Sequence, residues 1–95
     1  MAGYMVAQIL KVNDPEGWRE YSAGVAATVA RYGGRFLVRG GQIQALEGTW
    51  GARMVIIEFE TVERAREWYE SEEYRPLSEL RRRAGETMLS IVDGV

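Results

Sequence analysis

The stretch YGGRFLVRGGQIQALEG, Tyr32–Gly48, separates a helix from a strand and bends that strand. The pair Gly33-Gly34 suits a helix C-terminus, because glycine adopts the left-handed conformation that closes a helix at little cost. Gly40-Gly41 interrupts the following strand before Gln42–Glu47 continues it. An extra residue at such a point forms a β-bulge, which reverses the face that later side chains use. We therefore predict a bulge that turns Arg39 toward a pocket.

The sequence before this stretch predicts one strand and one helix. Residues Gly3–Val12 carry apolar and β-prone side chains at both odd and even positions, as in a strand that is covered on both faces. Asp14 is a suitable N-cap, and Pro15 suits the first helical position because that position needs no backbone N–H. The helix extends to about Tyr32. Its apolar stripe recurs every three or four residues and comprises Trp18, Tyr21, Val25, Val29 and Tyr32.

The sequence after the stretch predicts a strand, two helices and a last strand. Ala52–Glu60 is apolar on both faces, Thr61 can cap a second helix, and Pro76 suits the start of a third helix that ends near Gly85. Thr87–Val92 is the last strand. The order βαββαβ predicts an α+β, ferredoxin-like sandwich in a single domain, residues 1–95, with a four-stranded antiparallel sheet and the helices on one face.

If the other face of this sheet were exposed to solvent, its side chains should be polar. The sequence predicts instead that they are apolar. The first and third strands carry apolar residues on both parities, so a monomer would expose a large apolar patch. A symmetric homodimer joined through the open sheet face is the simplest way to cover it.

Composition excludes several function classes. The chain has 12 basic and 14 acidic residues, and the basic ones are scattered apart from Arg81–Arg83, which we interpret as a solvated helix face. A nucleic-acid binder would normally show a basic face, so no nucleic-acid partner is expected. No apolar run approaches the ~20 residues that span a bilayer, and the N-terminus lacks a signal-peptide pattern. We expect a cytoplasmic protein with no membrane partner.

The absence of cysteine and histidine narrows the chemistry further. Disulfides, thiolate zinc sites and the usual serine or cysteine nucleophile systems are excluded. No acidic calcium loop is present, and the glycine pairs lack the spacing of phosphate-binding loops. We expect no metal and no cofactor.

The combined motifs are similar to those of a bacterial family, domain of unknown function 1330. They are Gly33–Gly41 (GGRFLVRGG), Leu46-Glu47-Gly48, Glu58-Phe59, Ala65, Trp68-Tyr69, Ser71, Tyr74 and Val92-Asp93-Gly94. The family belongs to the dimeric α+β barrel superfamily, alongside cofactor-independent monooxygenases of the antibiotic-biosynthesis type. The resemblance implies the barrel dimer and no known reaction. Family members often have Pro-Ser after the Glu-Phe of the third strand, and proline after the serine of Ser-x-Glu-Tyr, where this chain has Glu60-Thr61 and Glu72.

The resemblance also marks candidate ligand-binding residues, which are Tyr21, Arg39, Glu47, Trp68 and Tyr74. Arg39 has two interpretations: a surface arginine paired with Glu47 or Glu58, or a guanidinium that presents its planar fork to an anionic ligand. In the second interpretation Glu47 orients Arg39 or acts as a base. The aromatic residues either pack the core or line an apolar pocket with a few hydrogen-bonding groups.

Two function classes follow from these alternatives. In the first class, the protein binds a small organic ligand, carboxylate or aromatic, in a pocket between helices and sheet. A variant of this class is a cofactor-independent enzyme that acts on the ligand. Alternatively, the protein is a non-catalytic dimeric structural or interaction module whose interior is filled by its own side chains. An open, tyrosine-lined cavity that reaches Arg39 would favour the first class.

Overall fold

A computed structural model describes all 95 residues of the chain. The elements are β1 (Gly3–Val12), α1 (Pro15–Arg31), β2 (Arg35–Gln42), β3 (Arg53–Phe59), α2 (Val62–Tyr69), α3 (Arg75–Ala84) and β4 (Gly85–Asp93). The strands pair antiparallel in the order β2-β3-β1-β4. The predicted ferredoxin-like βαββαβ sandwich is confirmed, and the second and third predicted helices correspond to α2 and α3.

Both ends of α1 follow from the residues that were predicted to form them. The Asp14 carboxylate accepts a hydrogen bond from the Gly17 backbone N–H at 3.1 Å, and Pro15 is the first helical residue. At the C-terminus Gly33 adopts φ +75°, and the Gly34 N–H bonds the Val29 carbonyl at 2.9 Å. A Cβ atom at Gly34 would lie 2.7 Å from the Phe59 ring, so the turn also needs glycine to pack against β3.

The prediction that β2 continues to Glu47 is wrong. The strand ends at Gln42, and residues 43–51 form a loop. The partner strand β3 begins only at Arg53, so most of the predicted continuation has no neighbour with which to form a ladder. One backbone bond, from the Ile43 N–H to the Ala52 carbonyl at 3.2 Å, closes the base of the loop.

The hydrophobic core lies between one face of the sheet and the three helices. Met5, Ile57 and Phe59 of the sheet pack against Val29 of α1 and Trp68 of α2, and each of these five side chains is almost fully buried. Because these strand residues alternate with residues on the other face, the helices cover one side of the sheet only.

Two bulges interrupt β2, and the first of them determines where Arg39 points. The β2–β3 register shifts between Phe36 and Val38 and again between Arg39 and Gly41. Phe36 pairs with Ile57 on the helix-covered face, and without an extra residue Arg39 would fall on the opposite face. The extra residue Leu37 restores Arg39 to the helix-covered face, opposite Val55. The predicted bulge at Gly40-Gly41 is confirmed, but the placement of Arg39 depends on the unpredicted bulge at Leu37.

The face of the sheet that the helices leave uncovered carries an apolar centre. The registers align Val38, Ile56 and Val6 across three strands, and Met88 and Val92 of β4 are about half exposed. At one end of this open sheet face, Glu58 accepts hydrogen bonds from Arg35 at 2.7 Å and from Tyr4 at 3.1 Å. The Arg35 hydrogen bond, with that of Tyr4, lowers the pKa of Glu58. None of the helices is long and apolar enough to cross a membrane.

Candidate functional site

A cavity of about 280 Å³ lies between α1 and the helix-covered face of the sheet. Its walls come from α1, from α3 and from all four strands. The lining residues are Met5, Ala7, Ile9, Trp18, Tyr21, Ser22, Val25, Phe36, Arg39, Gly40, Val55, Ile57, Arg81, Thr87 and Leu89. Ten of these fifteen residues are hydrophobic, and the polar ones include two arginines but no carboxylate. An apolar cavity with a few polar groups is the usual form of a small-ligand site.

Arg39 lies at the exposed β2 end of the cavity. Its guanidinium carbon stands 4.4 Å from the centre of the Phe36 ring, and its Nη2 donates to the Ser22 carbonyl of α1 at 3.0 Å. The contact joins the edge strand to α1 across the cavity entrance. Arg39 forms no ion pair with Glu47 or Glu58, since Glu58 pairs with Arg35. The interpretation of Arg39 as half of a surface ion pair is therefore wrong.

Arg81 lies at the β4 end and is buried, with a relative exposure of 6%. Its Nε donates to the Tyr74 hydroxyl at 3.3 Å, Nη1 to Thr87 Oγ1 at 2.8 Å and Nη2 to Ser78 Oγ at 3.2 Å. All three partners are neutral, and none of the ion pairs in the protein involves Arg81. The guanidinium therefore has hydrogen-bond partners but no counter-charge, which is an uncommon state for a buried arginine.

Tyr21 and Tyr74 connect this arginine to α1. Their hydroxyl oxygens lie 2.7 Å apart, and both side chains are buried. Burial, followed by the Tyr74 hydroxyl beside it, raises the pKa of Tyr21 far above its ordinary range, so Tyr21 keeps its proton at neutral pH. At neutral pH the Tyr21 hydroxyl therefore does not act as a base.

The structure separates the candidate residues that were grouped from the sequence. Tyr21 and Arg39 line the cavity. Tyr74 stands behind Tyr21 with no exposed surface and takes part through its hydroxyl. Trp68 is fully buried, lies 4.2 Å from the Tyr74 ring centre and donates to Thr28 Oγ1 at 3.0 Å, so it packs the core and does not reach the cavity.

Glu47 lies outside this cavity. It belongs to the loop of residues 43–51, where its carbonyl accepts the Trp50 indole N–H at 2.7 Å, and it borders a depression with Val38 and Met54 of the open sheet face. The expectation that Glu47 orients Arg39 or serves it as a base is wrong. Glu47 lies away from Arg39 because β2 ends early, at Gln42, and the residues after it leave the helix-covered face.

Arg81 was missed by the sequence analysis, which assigned the whole Arg81–Arg83 run to a solvated surface. Only Arg82 and Arg83 are exposed. A signal was present, because Ser78, Arg81 and Ala84 recur at the three-residue spacing of one helix face, and small residues on either side of an arginine leave room for its side chain against a neighbouring element.

No group of three or more acidic residues is arranged to hold a metal ion.

Comparison with known proteins identifies the family and the fold. A protein of unknown function from Rhodopseudomonas palustris is 18% identical, with a TM-score of 0.76 over 99% of this chain and 82% of its own. SnoaB, a cofactor-independent oxygenase from Streptomyces nogalater, is 14% identical, with a TM-score of 0.69 over 99% and 93%. A dimeric ferredoxin-like protein of unknown function from Bacteroides fragilis is 10% identical, with a TM-score of 0.65 over 98% and 96%.

These structures share the ferredoxin-like fold of this chain. No curated protein matches the sequence. Residues 2–95 match the domain of unknown function DUF1330, which is nearly the whole chain. The protein therefore belongs to the DUF1330 family.

Proposed function

We propose that the protein binds a small organic anion, a carboxylate with an apolar or aromatic body, in the cavity between α1 and the sheet. The observation that carries the proposal is an apolar cavity of about 280 Å³ whose charged lining residues are both arginines. The volume approaches the lower end of the range of ligand sites, roughly 300–1,000 Å³. Aliphatic side chains and the Phe36 ring would contact the body of the ligand, while an arginine would pair with its carboxylate.

The alternative of a non-catalytic dimeric module requires an interior that is filled by its own side chains. The open cavity favours ligand binding instead, because an interior packed only for stability leaves few voids larger than a water molecule. The buried Arg81 also has a cost in desolvation that simple apolar packing would avoid.

The lining favours binding over proton transfer. General base catalysis needs a group that can take a proton near neutral pH, and the titratable side chains of the cavity are arginines and a tyrosine that stays protonated. SnoaB shows that one protein of this fold works as an oxygenase without a cofactor. Because the cavity has no side chain that can act as a base near neutral pH, an oxygenase reaction here would require a substrate that loses its proton without help from the protein. We therefore propose ligand binding as the function, and an oxygenase activity is the second candidate to test.

A matched ligand panel tests the proposal. Benzoate, 4-bromobenzoate, phenylacetate and hexanoate, each with its neutral amide, are screened by thermal shift and then by titration calorimetry. We expect at least one acid to raise the unfolding midpoint and to bind more tightly than its amide, since a ligand that binds only the native state stabilises it. If no acid shifts the midpoint at millimolar concentration, the proposal is wrong.

A cavity-filling variant provides the control for the location of the site. Val25→Trp adds bulk to the α1 wall of the cavity and should abolish binding of the acid while the circular dichroism spectrum stays that of a folded α+β protein. An acid that binds this variant and the wild type equally would occupy some other site.

We also propose that two copies of the chain associate through the open sheet face. Val6, Val38 and Ile56 form its apolar centre, and polar residues at one end, Arg35 and Glu58, would lie at the rim. The broad dimensions of the molecule, 32 × 31 Å, leave room for the ~800 Å² that each partner buries in a standard interface. The protein from Bacteroides fragilis, which shares the fold, is described as dimeric, and this supports association into a dimer.

A further inference from the structure

We infer that Arg81, and not Arg39, is the anion-binding residue of the cavity, and that the ligand enters with its carboxylate directed inward to the β4 end. This inference rests on the proposed function and adds the orientation and the chemical class of the ligand's head group. It is carried by a cationic side chain that is more than nine-tenths buried, lines the cavity and has no counter-charge in the protein.

The hydrogen bonds of Arg81 leave donors for a ligand. Its three nitrogens each donate once, to Tyr74, Thr87 and Ser78. Because each terminal nitrogen of a guanidinium carries a second N–H, one donor remains on Nη1 and one on Nη2. A carboxylate has two oxygens and can accept both bonds, whereas an amide or an alcohol offers a single neutral acceptor. The missing counter-charge is thus matched by a planar monoanion.

Two hydroxyl groups beside Arg81 can also act as donors to a ligand. Tyr74 Oη accepts a hydrogen bond from Arg81 Nε, and its one other partner is Tyr21 Oη at 2.7 Å. Either hydroxyl can be the donor in this pair, so the Tyr21 proton is available to a ligand when Tyr74 donates to Tyr21. Thr87 Oγ1 likewise accepts from Arg81, and its hydroxyl can still donate its own proton. Tyr21, Thr87 and Arg81 all line the cavity and together present N–H and O–H donors to one acceptor group.

Arg39 is less suited to this role. It lies on β2, three strands away from β4, so the two ends of the cavity are roughly 14 Å apart. Its side chain is exposed, donates to the Ser22 carbonyl and stacks on Phe36. Water screens an exposed cation, so an anion gains less from Arg39 than from a buried guanidinium. Arg39 closes the cavity entrance behind the apolar end of the ligand.

Arg81 also borders a shallow surface groove that runs between Arg82 and Glu86 on the outer side of β4. Glu86 makes no ion pair with Arg81. The groove gives a second direction from which an anion could reach the guanidinium, and the orientation of a bound probe distinguishes the two directions.

Affinity measurements on variants test the inference with the acids of the panel and their amides. Arg81→Met should weaken binding of the acid by about ten- to a hundredfold, the scale of a charge-assisted hydrogen bond, and should leave binding of the amide within about threefold. Arg82→Met, on the same helix and outside the cavity, is the matched control and should bind as the wild type does. If Arg81→Met binds the acid normally while Arg39→Gln loses affinity, the inference is wrong and the proposed function stands.

A crystal of the wild-type protein with 4-bromobenzoate gives the orientation without any substitution, so the test survives a variant that fails to fold. We expect the carboxylate within hydrogen-bond distance of Arg81 and Tyr21, and the anomalous signal of bromine near Phe36. Bromine at the β4 end, or a probe held in the outer groove, would overturn the inference while leaving an anion-binding protein. Failure of every acid to bind would overturn both proposals together.

Discussion

At the scale of single residues, the cavity differs from the surrounding core by its charge. Trp68 is as deeply buried as any side chain in the protein, and its indole N–H is satisfied by a neutral partner, the Thr28 hydroxyl, as in core aromatic residues generally. Arg81 is nearly as buried and carries a full charge with no acidic partner. Because an unpaired buried charge is costly, its presence in a small domain indicates a function outside packing.

The protonation of Tyr21 predicts a loss of stability in alkali. Burial raises the pKa of Tyr21 above its ordinary value of 10.0, so the native state keeps this proton above pH 10 while the unfolded chain releases it. The native state then binds more protons than the unfolded one, and the free energy of unfolding falls as pH rises, by about 1 kcal/mol near pH 11. Below about pH 9 the effect is absent.

Urea unfolding of wild type and Tyr21→Phe at about pH 8 and about pH 11 measures this contribution. We expect the wild type to lose more stability over this interval than Tyr21→Phe, because phenylalanine has no proton to release. Tyr32→Phe, outside the cavity, is the matched control and should retain the pH dependence of the wild type. Equal losses in wild type and Tyr21→Phe would show that Tyr21 ionises as readily in the native protein as in the unfolded chain.

At the scale of elements, β2 positions the cavity entrance through two irregularities of different origin. Gly40 adopts φ +75°, a conformation that strains residues with a Cβ atom, so the sequence marks this bulge with glycine. Leu37 forms the other extra position with an ordinary side chain, and none of the non-glycine residues has a positive φ. Only the first kind of bulge leaves a compositional trace.

Substitution of Gly40 tests this account of the strand. Gly40→Ala should lower the free energy of unfolding by about 1–2 kcal/mol, the cost of a left-handed conformation for a residue with a Cβ atom. An added Cβ would meet no atom within 4 Å, so the loss would come from the backbone and not from a clash. Gly40→Asn should lose less, because asparagine tolerates this conformation better. Chemical denaturation that gives equal stability for alanine and glycine would contradict the strained geometry.

The same contrast explains how far the sequence could predict this molecule. Helix caps, glycine turns and apolar periodicity are local, and they predicted every helix and strand of the sandwich, including the separation of α2 from α3, apart from the length of β2. The bulge at Gly40-Gly41 was predicted correctly, but it is the other bulge, at Leu37, that places Arg39 on the helix-covered face of the sheet. Arg81 was misassigned because its burial depends on how α3 packs against α1 and β4, which its neighbours Arg82 and Arg83 do not reveal. Glu47 was grouped with Arg39 because the end of a strand depends on its partner strand.

At the scale of the whole molecule, the small thickness of the fold favours association with a second copy of the protein. The molecule measures 32 × 31 × 16 Å, so it is a single layer of helices on a single sheet. The cavity lies inside this sandwich, while the opposite side of the sheet exposes Leu10, Met88 and Val92 to solvent. Large exposed apolar side chains that share one face of a sheet often mark an interface. A second copy would cover it without blocking the entrance beside Arg39, which lies on the helix side.

A charge at the centre of the open sheet face tests this association. Ile56 pairs with both Val6 and Val38 and so occupies the middle of the apolar row. We expect the wild type to sediment at micromolar concentration with about twice the chain mass of 10.8 kDa, and Ile56→Glu to be monomeric or insoluble, because an unpaired charge in a desolvated interface costs several kcal/mol, roughly 3–5. Ala27→Glu introduces the same charge on the exposed side of α1 and should remain a dimer. Circular dichroism distinguishes a folded monomer from an unfolded chain. A wild type that sediments as a monodisperse monomer, or an Ile56→Glu variant that stays dimeric, would rule out association through this face, and the proposed acid-binding site would then have to work in a single chain.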